Sequence, residues 1–293
     1  MIEREPVVDG LLKKVDLLGP LLTVDDVCQD FLLNDGKKFP ILKNLSFSIQ
    51  DIAGKPQVVS ILGPSGVGKT TILRVIAALD RPTSGQVLIT TNKDERNAMR
   101  EVRVGDIGVV FQKYPLFDDL SVLNNLIQPG VRVAKLDPKV ARERALQYLD
   151  SFGLFKQSVA WPVQLSGGQR QRVAILQQLM TNKHFIILDE PFSGLDPVSI
   201  SNVIKLISEI ANQHTLNTFI IITHDITSAL TVSDHIYLLG RDSDEKGEQI
   251  PGARIMKEYD LISEGLAYQQ NIEDMPRFAQ IRKEIKTSIF PRL

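Results

Sequence analysis

Cysteine is almost missing: Cys28 stands alone in 293 residues. No intrachain disulfide can form, and a reducing compartment is compatible with the chain. No apolar run approaches the roughly 18 residues that a membrane-spanning helix needs, so any contact with a membrane is expected to go through a partner. Charge of neither sign is in excess. The 34 Lys and Arg against 35 Asp and Glu leave a net charge of −1. That removes the whole-molecule field that draws proteins to nucleic acid, and no nucleic-acid partner is expected. The opening residues Met1-Ile2-Glu3-Arg4-Glu5-Pro6 lack an apolar signal core, so a cytoplasmic location is expected. Internal repeats and heptad runs are absent too, which argues against solenoids and long coiled coils. What remains, 43% hydrophobic and 24% charged, is ordinary for a globular chain with a substantial core.

The most informative run is Gly63-Pro64-Ser65-Gly66-Val67-Gly68-Lys69-Thr70. It fits the phosphate-loop pattern G-x-x-x-x-G-K-[ST] at every fixed position. Its flanks also fit. Val58-Val59-Ser60-Ile61-Leu62 reads as a buried strand, and Thr71 to Leu79 has apolar residues at helical spacing. Glycines let the backbone turn its N–H groups inward as an anion nest, and the helix that follows adds its positive end. Lys69 can reach β- and γ-phosphates, the Thr70 hydroxyl can bind Mg²⁺, and Thr71 can donate to the α-phosphate.

Along the chain, short apolar strands alternate with helices, the pattern of a parallel sheet covered on both faces. Two N-terminal strands, at 21–33 and 41–49, are expected before the loop. Leu45-Ser46-Phe47-Ser48-Ile49 alternates as a half-exposed antiparallel strand does, and Asp35-Gly36 marks the hairpin turn. Residues 91–106 read as a polar surface insertion, inside which Asn92-Lys93-Asp94-Glu95 is a poor match to a guanine-recognition motif. From 115 to 130 the pattern breaks into short pieces. Helices are predicted over 138–149, with Val140, Ala141, Ala145, Leu146 and Leu149 inward, over 166–180, and over 197–214, with Val198, Val203, Ile204, Ile207, Ile210 and Ala211 inward. After Arg241 come a polar loop, a short strand at 253–256 and a charged helical tail.

Two further motifs complete the site. Phe185-Ile186-Ile187-Leu188-Asp189-Glu190 is an apolar strand that delivers two carboxylates at its C-terminal end, where parallel sheets place their ligands. Asp189 can hold the Mg²⁺ shell, and Glu190 can polarise a water. Leu165-Ser166-Gly167-Gly168-Gln169 opens a helix with a good N-cap and exposed N–H groups, a second anion-binding end.

Together these residues resemble the ATP-binding subunit of an ABC transporter, over about residues 21–240. Gly63 to Thr70 is similar to Walker A, Gln112 to the Q-loop glutamine, Leu165 to Gln169 to the family signature, and Phe185 to Asp189 to Walker B. Glu190 matches the catalytic glutamate, Ser193-Gly194-Leu195-Asp196 the D-loop with Asp196 at its end, and His224 the switch histidine. Phe39 falls where the family keeps an aromatic against adenine. The resemblance implies an α/β fold, a P-loop NTPase of the ABC ATPase kind. It would have a mostly parallel core sheet, an N-terminal antiparallel β-subdomain and a helical subdomain at about 113–175. Residues 1–20 would be an extension, and 241–293 a tail packed on or beside the domain.

It also implies an ATPase that uses ATP and Mg²⁺, with Lys69, Gln112, Glu190 and His224 in catalysis and Thr70, Gln112 and Asp189 at the metal. The signature acts on ATP held by a second ATP-binding subunit, identical or closely related, so two composite sites form head to tail. Integral-membrane permease subunits, met through the segment after Gln112, would hold the protein on the inner face of the membrane. A solute-binding protein would be an indirect partner. Within the importers, Pro64-Ser65-Gly66, Leu79-Asp80-Arg81-Pro82-Thr83-Ser84-Gly85 and Gly252-Ala253-Arg254-Ile255 look most like the nitrate, sulfonate and taurine group, which implies import of a small anion or sulfonate-like solute. The alternative is a soluble ABC-type ATPase that drives a machine other than a transporter.

Overall fold

The computed structural model describes residues 17–52, 55–90, 98–213, 218–269 and 271–290. Most of the N-terminal extension, residues 91–97 with the guanine-like motif, and the side chain of Ala211 lie outside them.

Two sheets enclose the first helix. The antiparallel sheet has the order β2-β1-β4-β5, with β1 Leu17–Leu32, β2 Lys38–Ile52, β4 Ser84–Thr90 and β5 Met99–Glu101. The β1–β2 turn is at Asp35-Gly36 as expected, with Gly36 at φ 79° and the Leu33 N–H bonded to the Lys37 carbonyl at 2.8 Å. Part of the polar insertion is therefore a strand: β5 pairs with β4 from Leu88 to Thr90. Gly85 is obligatory, because a Cβ there would lie 2.3 Å from the Asp26 carbonyl oxygen.

The main sheet has the order β10-β9-β3-β8-β7-β6. Its strands are β3 Gln57–Leu62, β6 Ile107–Val110, β7 Phe185–Asp189, β8 Thr218–Thr223, β9 His235–Gly240 and β10 Arg254–Asp260. All neighbours are parallel except β10, which runs antiparallel to β9. β3 and β8 are buried along their whole length, which explains their unbroken apolar and β-branched runs. Helix α1 (Lys69–Ile76) lies between the sheets, and Ile72, Leu73 and Ile76 share one core with Leu22, Leu45, Ile187 and Ile220. It stops one turn earlier than its apolar spacing suggests, because Ala78 turns left-handed at φ 56°.

A second core joins the other face of the sheet to α2 (Val122–Arg132), α3 (Pro138–Ser151), α4 (Gly167–Leu179) and α5 (Pro197–Gln213). Helix α2 corrects the expectation of short pieces. Pro129 sits inside it and cannot donate to the Asn125 carbonyl one turn back. The Gln177 side chain supplies that bond instead, at 3.3 Å. Asn125 is fully buried, yet its amide is satisfied by the Phe117, Leu120 and Ser121 carbonyls. The helical faces also need correcting: Val140 and Val198 are exposed, so the buried stripes of α3 and α5 lie on either side of them.

The third core belongs to the C-terminal segment. Helix α6 (Ile226–Val232) and β9 pack Leu230, Ile236 and Leu238 against Tyr259, Leu261, Leu266, Phe278 and Ile281. The last three come from the turn after β10 and from α7 (Pro276–Glu284). The tail thus contributes a strand to the main sheet and one wall of a core.

Candidate nucleotide site

Strand order positions the site. Leu62 pairs with Thr223, Asp189 with Ile222, and Val110 with Leu188. The C-terminal ends of β3, β8, β7 and β6 therefore stand side by side. They carry the Gly63–Lys69 loop, His224, Glu190 and Gln112, which are far apart in sequence.

The loop is built from close backbone approaches. Gly63 donates its N–H to the Thr223 carbonyl at 3.2 Å, and a Cβ on it would sit 2.7 Å from the Leu239 carbonyl oxygen. Gly66 and Gly68 hold φ values of 79° and 121°, a region glycine enters without strain. Pro64 is half-buried, Ser65 exposed and Val67 buried. Gly68 precedes α1 with no side-chain cap on the helix, so the first-turn N–H groups are open to an anion. These features fit a phosphate chain. The Arg241 guanidinium, just past β9, donates to the Gly66 carbonyl at 2.9 Å and braces the loop. No motif pointed to it.

Lys69 is buried with its Nζ 2.9 Å from the Gly63 carbonyl, 3.1 Å from the Pro64 carbonyl and 3.2 Å from Glu190 Oε1. The other oxygen of Glu190 faces β8. It accepts from the Thr223 hydroxyl at 3.2 Å and the His224 N–H at 3.3 Å, and lies 2.9 Å from His224 Nδ1. One carboxylate therefore joins Lys69 to His224. Glu190 pays for this aim with a left-handed backbone, φ 48°, held by its N–H on the Ile222 carbonyl at 2.7 Å. Burial above all, and then the neighbouring Glu190 carboxylate, push the Asp189 acid above the usual range, while Lys69 pulls it back. Burial and the same two carboxylates push the Tyr114 phenol up to about 12.

Thr70 is exposed at the start of α1, Thr71 is half-buried, and Asp189 is half-buried at the end of β7. Among the described residues no group of three or more His, Cys, Asp or Glu could hold a metal by itself. A lone carboxylate with a hydroxyl and an amide oxygen is a hard, sparse donor set. It fits Mg²⁺, which keeps waters and leans on substrate phosphates. Gln112 is exposed just past β6, and its amide reaches the Ser193 hydroxyl at 3.3 Å. Phe39 is half-buried on β2 opposite Phe31 and two residues before Ile41, whose side chain would lie 3.1 Å from a Cβ on Gly68.

The signature lies elsewhere on the chain. Leu165 follows a short 3₁₀ turn at Pro162–Gln164. Ser166 and Gln169 form a capping box: the Gln169 N–H donates to the Ser166 hydroxyl at 3.3 Å, and the Ser166 N–H donates to the Gln169 side chain at 3.0 Å. Gly167 and Gly168 have open space where a Cβ would stand. Packing within the chain does not require glycine there. Among the described residues, the side-chain bonds of Lys69 and Glu190 go to the phosphate loop, to Thr223 and His224 at the end of β8 and to each other, not to residues 165–169. Asp196 caps α5, accepting from Val198 N–H and Ser199 N–H at 3.0 Å each.

Beside the helices, a groove of about 550 Å³ opens between β6 and α2. Phe117, Asp119, Leu120, Gln128 and Arg132 line it, with Phe117 half exposed. No helix of the described residues is long and apolar enough to cross a membrane.

A family model described as ABC transporter matches residues 42–193. The L-cystine import ATP-binding protein TcyC of Bacillus subtilis is 35% identical over 226 residues, 75% of this chain and 86% of that protein. The glutamine transport ATP-binding protein GlnQ of the same organism is 36% identical over 203 residues, 69% of this chain and 81% of that one. Among solved structures, a dimeric post-hydrolysis state of the ATP-binding cassette MJ0796 with ADP and Pi aligns with a TM-score of 0.65 at 29% identity, covering 82% of this chain and 98% of that one. Clostridium perfringens cbiO1, part of the cbiONQ transporter complex, aligns with a TM-score of 0.66 at 26% identity, covering 90% and 99%.

Proposed function

Starting from the chain's membership of the ABC transporter family, an ATPase family of cassettes that bind ATP with Mg²⁺, we propose that it is the ATP-hydrolysing subunit of an importer, with Glu190 as its catalytic carboxylate. The observation that carries this is the contact of Glu190 with both Lys69 and His224 across three adjacent strand ends.

The loop N–H groups, the α1 N-terminus and Lys69 bind the triphosphate, with Pro64, Ser65, Val67 and Thr71 shaping the loop and Phe39 offered to the adenine. Phosphate oxygens compete with Glu190 for the Lys69 ammonium, which frees the carboxylate to orient the attacking water. His224 bonds the γ-phosphate and steadies Glu190. Thr70, Asp189 and Gln112 would hold Mg²⁺, which neutralises phosphate charge when bound. The work is positioning and electrostatic stabilisation of a loose transition state.

The signature end, Leu165 to Gln169, acts on a second copy or close paralogue. Its exposed glycines and its distance in bonding from Lys69 support that reading, as does the dimeric state of the MJ0796 cassette. Asp196 then sits at the junction of the two chains. The groove at Phe117 and Leu120 is the seat for a permease segment, through which the protein would be held on the cytoplasmic face. A solute-binding protein completes the importer. The ATPase domain would span about 21–240, with its helical part at about 113–175.

For the solute, the relatives change the expectation. TcyC, GlnQ and the arginine transport protein ArtM are named for amino acids, not for nitrate, sulfonate or taurine. An amino acid is the better supported class. Reconstitution with the permease and binding protein distinguishes them: amino acids should stimulate ATP hydrolysis, and stimulation by taurine or nitrate alone would reverse the choice. For the site itself, Glu190→Gln should keep ATP binding and nearly abolish turnover. Undiminished steady-state hydrolysis would remove Glu190 from catalysis.

A further inference from the structure

The turn that carries Glu190 has a second set of supports, and they come from the helical side of the molecule. Gln171 lies in the second turn of α4, five residues past Ser166, and is fully buried. Its Nε2 donates to the Pro191 carbonyl at 2.6 Å. The amide orientation is fixed by chemistry, since only the nitrogen can face a carbonyl. The Tyr114 hydroxyl, two residues past Gln112, points at the same oxygen from 3.4 Å. Tyr114 is itself buried and left-handed at φ 47°, so its ring is committed to that place. Pro191 has no N–H to give, and Glu190 before it is left-handed as well. Among the described residues, the only grips on this turn from the helical side that end on its backbone are those two on one carbonyl. On the sheet side the Glu190 N–H holds the Ile222 carbonyl.

We infer that Gln171 is a positioning residue for Glu190, with Tyr114 as its auxiliary. Together they make the Pro191 carbonyl the point at which the signature helix and the segment after Gln112 set the aim of the catalytic carboxylate. The inference rests on Glu190 being the catalytic carboxylate proposed above. The signature N-cap and Gln171 belong to one rigid helix, so a pull on Ser166–Gly168 by a second subunit's nucleotide reaches Pro191 through a single side chain. Closure of the composite site and alignment of the water-orienting group then become one motion.

The test is steady-state ATP hydrolysis and ATP binding by the full chain. Gln171→Met keeps the buried volume and removes the Nε2 donor together with Oε1, which makes no hydrogen bond among the described residues. It should lower kcat about tenfold or more, within the roughly hundredfold that a misplacement of about 1 Å can cost, with KM for ATP and the melting temperature near those of the wild type. Tyr114→Phe, which removes the longer bond, should lower kcat by a few-fold. The double variant should lose little more than Gln171→Met alone. Gln171→Glu supplies a signature that a merely structural role would not give. A buried carboxyl donates to the carbonyl only when protonated, so its activity relative to wild type should rise as pH falls. If Gln171→Met turns over within twofold of wild type while Glu190→Gln is inactive, Gln171 does not position Glu190. If Glu190→Gln is itself fully active, the catalytic reading has failed instead, and the two failures are separable.

Discussion

Replacing Asp234 by Asn should stabilise the protein at alkaline pH and flatten its pH dependence. Asp234 is buried where the sheet meets the C-terminal segment. Its carboxylate accepts from the Val58 N–H at 2.7 Å, its own N–H bonds the Val58 carbonyl at 2.7 Å, and its carbonyl accepts from Leu261 N–H at 2.9 Å. It thus joins the base of the phosphate-loop strand to the tail. Burial pushes its acid up to about 7 from an ordinary 3.8, against the pull of the Val58 N–H, the Tyr268 hydroxyl and Lys55, and with a push from Asp260. At about 1.4 kcal/mol per unit, a rise of about three units is worth about 4 kcal/mol. The sign follows from the proton count. Between pH 4 and 7 the folded chain holds a proton that the unfolded chain has released. This stability is therefore complete below about pH 4 and is lost as pH rises through 7. Urea unfolding at several pH values reads it. Wild type should lose stability over that window, and Asp234→Asn should lose less and exceed wild type at pH 8 by about 2 kcal/mol or more, since the amide oxygen still accepts from Val58. If the variant is weaker than wild type at pH 8 and both share one pH slope, the charge-burial reasoning is wrong.

Two other outcomes are expected. Gly63→Ala drives a Cβ into the Leu239 carbonyl at 2.7 Å. Melting should show a loss of about 1–3 kcal/mol with weakened nucleotide binding, whereas Gly66→Ala, with open space around it, should cost about 1 kcal/mol through its φ alone. Phe117→Asp, on the exposed wall of the groove, should abolish co-purification with the permease while leaving the ATPase activity of the isolated subunit within twofold. Unchanged co-purification would remove the groove as the seat.

Local chemistry made much of this readable in advance. The loop glycines, the apolar strands and the Ser166 N-cap announce themselves because each depends on neighbours in sequence. What depends on distant partners was hidden. Helix α2 was obscured by Pro129, whose missing bond is supplied by Gln177 from α4, and by Asn125, whose amide is satisfied by the Phe117, Leu120 and Ser121 carbonyls. The exposure of Val140 and Val198 follows from which side of each helix meets the core, and a broad apolar stripe does not specify that at its edge. Strand β5 exists through pairing with β4, and its three residues are too short to show a period. Arg241, Gln171 and Tyr114 carry no motif of their own, and their roles appear only once β9, α4 and the Pro191 turn are brought together.

Two chains per pair of sites is the central claim, and ATP-dependent association tests it most directly. Light scattering on Glu190→Gln with saturating ATP and Mg²⁺ should give the mass of two chains, and with ADP the mass of one. Adding Ser166→Arg at the signature should return the ATP sample to one chain while leaving nucleotide binding intact. A Glu190→Gln protein that binds ATP fully yet stays a single chain, or one that pairs equally well with the signature blocked, would contradict the account.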